Sequence, residues 1–153
     1  MNTDIHGFKH GEITQKIIGV FYEVYNELGH GFLESVYEKS LEVALTAMKL
    51  KVCRQVEISV SFRGHRVGIF TADMLVENCV LLELKAARSL DPSHTAQLLN
   101  YLRATDIEVG LLLNFGLKPE FKRLLFDNLR KAIRANPCLS VADLLTPAEP
   151  ETR

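Results

Sequence analysis

The sequence lacks several features that would place it quickly. Its 153 residues hold three cysteines, Cys53, Cys79 and Cys138, odd in number and outside any CxxC spacing. That pattern argues against a disulfide framework, a zinc site or an iron–sulfur cluster, and fits a reducing cytoplasm. No apolar run approaches the ~20 residues of a membrane-spanning helix, so no membrane partner is expected. The opening MNTDIHGFKHGEI lacks the basic-then-apolar layout of a secretory signal. Internal repeats, low-complexity tracts and linkers are missing too. So is any large charge excess: the formal net charge is −1, and nothing global advertises nucleic acid.

What remains is a chain with 47% hydrophobic and 24% charged residues, the balance of one soluble globular domain with a real core. Charge is distributed unevenly. Residues 1–50 carry four basic and seven acidic side chains, whereas 118–134 carry six basic against Glu120 and Asp127. A helix over Lys118–Ala135 would form a basic track for a nucleic-acid backbone, with Lys122 and Arg123 on it; it also reads as a solvated amphipathic face.

Apolar spacing predicts a helix over 12–28, stopped by Gly29-His-Gly31, and a second over about 33–50. Val52, Val56, Ile58, Val60 and Phe62 then alternate, predicting a strand that turns at Arg63-Gly64-His65. Strands over about 66–76 and 79–85, a helix from Asp91-Pro92-Ser93 to about Ala104, a buried strand over 107–115 and the basic helix complete the order ααβββαβα. One domain is expected over 1–135, followed by a partly disordered extension over 136–153. The fold class is α/β in the broad sense, an α+β order in which helices flank one central mixed sheet.

The stretch VLLELKA, residues 80–86, places Glu83 and Lys85 on one face of an oily strand. Because Leu81 shares that face, the strand is apolar on both sides and should be central, and a buried acid there needs a partner or a metal. Asp73 on the preceding strand is the candidate, and register decides. A two-residue turn at Glu77-Asn78 pairs Ala72 with Glu83, whereas a three-residue loop through Cys79 pairs Asp73 with Glu83. Two carboxylates that meet repel each other, and a divalent cation resolves the conflict. Lys85 beside them could polarise a water or steady a phosphate oxygen, the equipment of metal-assisted phosphodiester hydrolysis. A buried acid–lysine network without metal fits the same residues. Glu34 suits the positive end of a helix dipole or could lean over the site. His94, Gln97 and Tyr101 share one side of the helix after VLLELKA, as phosphate-positioning candidates or as a polar helix edge.

GFLESVYEKSLEVAL, with Gly31, Glu34 and Tyr37, resembles the signature of the GxxExxY proteins, and ADMLVENCVLLELKA, HTAQLLNYL and VGLLLNFG continue the resemblance in order. That family is assigned to the PD-(D/E)xK nuclease-like superfamily. The resemblance implies a restriction-endonuclease-like fold and a magnesium-dependent nuclease, with Mn²⁺ able to substitute. Asp73, Glu83 and the Leu84 main-chain carbonyl would hold the metal. Lys85, Glu34 and Gln97 would be catalytic, and Tyr101, His94, Lys122 and Arg123 would position substrate. The expected partner is nucleic acid, DNA before RNA. A near-neutral chain of this size has little surface for a duplex, which a homodimer or protein partner would supply. The rival reading is a catalytically silent binding module on the same fold.

Overall fold

A computed structural model describes residues 9–129 and 131. Two helices, α1 (Gly11–Leu28) and α2 (Glu34–Ala47), precede a hairpin of β1 (Val52–Phe62) and β2 (His65–Val76). β3 (Val80–Lys85), α3 (Pro92–Arg103), β4 (Val109–Phe115) and β5 (Pro119–Leu125) follow. The strands lie in chain order in one five-stranded sheet. Only β3 and β4 run parallel, with α3 as the crossover between them; the other pairs are antiparallel. β3 is therefore the central strand. Each sheet face has its own core. Leu82 and Leu84 pack with Ile17, Phe21, Tyr37 and Leu41 of α1 and α2, while Leu81 and Leu112 pack with Leu98, Tyr101 and Leu102 of α3. No helix among the described residues is long and apolar enough to cross a membrane.

Two expectations need correction. α2 ends at Ala47, short of residue 50. Lys49 stops it by taking φ 63°, so that Leu50 N–H reaches Leu45 O and Lys49 N–H reaches Thr46 O. This closure usually belongs to glycine, and its glycine signal is absent here. The second correction is larger. Residues 119–125 form strand β5 and not the start of a basic helix. Phe121, Leu124 and Leu125 do carry helical spacing, but pairing with β4 from Phe115↔Pro119 to Val109↔Leu125 overrides it. Lys122 and Arg123 consequently point to opposite faces of a sheet edge. Arg123 donates to the Lys9 carbonyl. The helical track proposed for them does not exist over 118–125; the expected tail, 136–153, and its boundary lie outside the described residues.

The signature tyrosine is structural. Tyr37 is fully buried and stacks on Phe115 at 4.1 Å between centroids. Its hydroxyl donates to Gly29 O at 2.6 Å and accepts from Phe32 N–H at 3.2 Å. This pins the loop that delivers Glu34. Gly31 within that loop has φ 108°, which a side chain would resist.

The exit of β3 is fixed from β4. The fully buried Asn114 accepts from Ala87 N–H at 2.9 Å and donates to Ala87 O at 3.0 Å. It thereby continues the strand pairing with an amide side chain. Gly116 lies so close that an added Cβ would fall 2.2 Å from Ala87 O, a backbone atom. Gly116→Ala should therefore destabilise the fold by about 3 kcal/mol or more. The exposed helical Gly19, with nothing within 4 Å of its Cβ position, should gain roughly 0.5–1 kcal/mol as Ala. Urea denaturation of both variants checks the pair, and equal midpoints would contradict this account.

Candidate metal centre

The loop between β2 and β3 uses three residues. Glu77 and Asn78 take φ 52° and 56°, Cys79 N–H donates to Val76 O, and Val76 pairs with Val80. That register sets Asp73 opposite Glu83. Backbone pairing runs from Val76↔Val80 to Met74↔Leu82, and then the side chains take over. Asp73 N–H donates to Glu83 Oε1 at 3.1 Å, and Leu84 N–H donates to Asp73 Oδ2 at 2.7 Å. Each carboxylate is held by the other's strand, so the two are fixed side by side where the ladder gives way.

β1 changes conformation at the same level. Gln55, opposite Asp73 in a register that pairs Arg54 with Met74 and Val56 with Ala72, has φ 53°. Across this point the inward side of the hairpin changes layers. Val52, Met74 and Val76 pack with α1 and α2, and Ile58 and Ala72 pack with the α3 core. Asp73 sits at the changeover, where the charges of Glu38 and Glu34 on α2 act on it.

Glu83 is almost fully buried. Burial, followed by the charge of Asp73, pushes its carboxyl up from an ordinary 4.5 to about 8. Asp73 is also raised, chiefly by burial; the Leu84 N–H opposes the shift, and the charges of Glu38 and Glu34 add to it. At neutral pH the pair without a cation holds a proton. Among the described residues, no three His, Cys, Asp or Glu side chains converge as a ready metal cluster. The set is two hard carboxylates, and Mg²⁺ is commonly held by one or two, with water and phosphate oxygens completing its shell. The buried, mutually repelling oxygens fit such an ion.

Lys85, half-buried, donates from Nζ to Gln97 Oε1 at 2.8 Å, and Gln97 Nε2 donates to the Tyr101 hydroxyl at 3.1 Å. Three of the expected side chains are thus one chain of contacts between β3 and α3. Glu34, in the first turn of α2, accepts from Ala86 N–H at 3.4 Å. It reaches the same strand end from the other layer. His94 is used differently: its Nδ1 accepts from Asp91 N–H while Asp91 accepts from Ser93 N–H. It is half of a capping box at the start of α3, a task that engages Nδ1.

Sequence reasoning passed over three residues. Glu38, buried and one turn beyond Glu34, accepts from Gln55 Nε2 through both oxygens, at 2.9 and 3.0 Å, and pairs with Arg54 at 3.5 Å. The i, i+4 spacing from Glu34 was its available signal. Gln55 carried none, since a left-handed residue within a strand leaves no trace in side-chain type. Asn114 posed the same puzzle as Glu83, a polar group inside an oily strand.

Glu83 favours the folded chain most fully below about pH 4.5, and that contribution is lost as pH rises through about 8, because the folded pKa lies above the ordinary one. In metal-free buffer the wild-type melting temperature should fall across this window more steeply than that of Glu83→Gln. Parallel slopes in scanning calorimetry would argue against a buried, protonated Glu83.

A family model described as PD-(D/E)XK nuclease superfamily matches residues 11–124. No curated protein matches. Among solved structures, a crystal structure of SSO0001 is similar with a TM-score of 0.47 and 18% identity, over 70% of this chain. The match spans 60% of that chain's length, and a likeness at this level assigns no activity.

Proposed function

The chain belongs to the PD-(D/E)XK nuclease superfamily, and from that premise we propose that it is a divalent-metal-dependent nuclease of the cytoplasm, hydrolysing phosphodiester bonds in DNA in preference to RNA. The observation that carries this reading is the reciprocal clasp of Asp73 and Glu83, two carboxylates held together with Lys85 on the same strand. Structural ion pairs place opposite charges together. Here two carboxyl groups are fixed side by side, and the lysine is bonded to Gln97.

Asp73, Glu83 and the Leu84 carbonyl would hold Mg²⁺, or Mn²⁺ in its place. When bound, such an ion supplies charge neutralisation at the scissile phosphate and acidification of a water. The Lys85 ammonium has three donors; one is used on Gln97, leaving the others for the attacking water or a non-bridging phosphate oxygen. Gln97 holds Lys85 at the mouth of the site. Tyr101 accepts from Gln97, which leaves its own proton free to donate to a phosphate oxygen. Glu34, exposed beside Ala86, would accept a proton from incoming water or bind a second cation.

Lys85→Ala should reduce cleavage of labelled DNA in Mn²⁺ at least ~100-fold while circular dichroism and melting temperature stay unchanged; full activity in that variant would overturn the assignment. Asp73→Asn should lose Mn²⁺ binding in isothermal titration calorimetry. Retained binding would remove Asp73 from the metal site, and wild-type binding without cleavage of any nucleic acid would leave a silent binding module.

A further inference from the structure

Beside the metal centre, a groove of about 860 Å³ runs between the β1–β2 hairpin and α3. Its walls include Ser59 and Ser61 of β1, Phe70 of β2, and Gln97, Tyr101 and Arg103 of α3. Gln97 is the residue that holds Lys85, so the groove adjoins the candidate site through Gln97 and Tyr101. Its lining differs from the site in charge. Arg103 is the only charged residue among the described lining residues, whereas the adjoining site is crowded with carboxylates.

Phe70 gives the groove its chemistry. It is a large aromatic on a strand, 48% exposed, yet it is held in place. Its ring lies over Gly68, where an added Cβ would sit 3.3 Å from Cε2, and it leans on Tyr101 at 6.0 Å between centroids with a 42° tilt. Those rings already touch each other at a tilt, which leaves no parallel slot between them for a flat ligand. The exposed part of the Phe70 ring remains as a platform.

We propose that this groove seats an unpaired base of a single-stranded nucleic acid on Phe70, with the adjoining backbone passing Gln97 and Tyr101 towards Lys85. The proposal rests on the nuclease reading and names its substrate class. A chain of net charge −1 gains little from phosphate neutralisation, and base stacking on an aromatic supplies affinity that does not depend on it. Every base has a flat face, so the platform is tolerant of sequence. In a duplex those faces are covered by neighbouring base pairs, and Phe70 would find none to meet.

The test is fluorescence anisotropy of the full chain in EDTA at low salt, with a labelled oligothymidylate, an abasic strand of equal length and a blunt duplex. The wild type should bind oligothymidylate most tightly. Phe70→Ala should weaken that binding about five- to hundredfold, towards the abasic level, and Phe70→Trp should keep it. Unchanged affinity in Phe70→Ala, equal binding of the abasic strand, a preference for duplex, or no binding of any probe would each overturn the proposal. Cleavage in Mn²⁺ is read separately. A strand preference that depends on Phe70, without cleavage by the wild type, would sink the nuclease reading and leave the groove standing.

Discussion

The exchange of hydrogen bonds between Asp73 and Glu83 is the constraint on which the site depends. Where β2 and β3 would continue as a backbone ladder, each strand instead donates an N–H to the other's carboxylate. Two carboxyl groups that would repel if both ionised are thereby held by the chain itself. The burial that makes Glu83 reluctant to ionise is the burial that keeps it rigid. β3 can bear this because it is central, with β2 on one side and the parallel β4 on the other, and oily cores on both faces.

The surroundings divide the work. α2 brings acids, Glu34 at the strand end and Glu38 further in, with Gln55 and Arg54 holding Glu38 in place. α3 brings the amide and phenol that settle Lys85. Tyr37 and Asn114 touch neither group; they anchor the loop before α2 and the exit of β3. Acids approach from one layer and neutral donors from the other, so the site has an acidic side and a neutral side.

Much of this was legible because side-chain period and strand length are local properties. The central strand was readable from Leu81 sharing a face with Glu83, and Asp91-Pro92-Ser93 marked the start of α3. The meeting of Asp73 with Glu83 hung on one loop residue, which only tertiary structure decides. β5 was misread because Phe121, Leu124 and Leu125 have helical spacing, and what wins at a sheet edge is the partner strand. Its charged residues suit an edge, where lysines discourage further strand addition. His94 shared a helix side with Gln97 and Tyr101, but lying at the first turn it served the helix end. Glu38 escaped because its neighbour Tyr37 is so apolar in role that the pair looked like core and surface.

The three-residue loop before β3 has a consequence for how errors are met. A hairpin one residue shorter would turn Glu83 and Lys85 towards the layer of Ile17, Phe21 and Leu41, and bring Leu82 and Leu84 to the other side. Such a chain would bury two charges among hydrocarbon, at a cost that the observed register avoids. A slip of register is therefore opposed by the cost of burying those charges without partners. Cys79, the third loop residue, is thus the spacer that decides which layer receives the charges of β3.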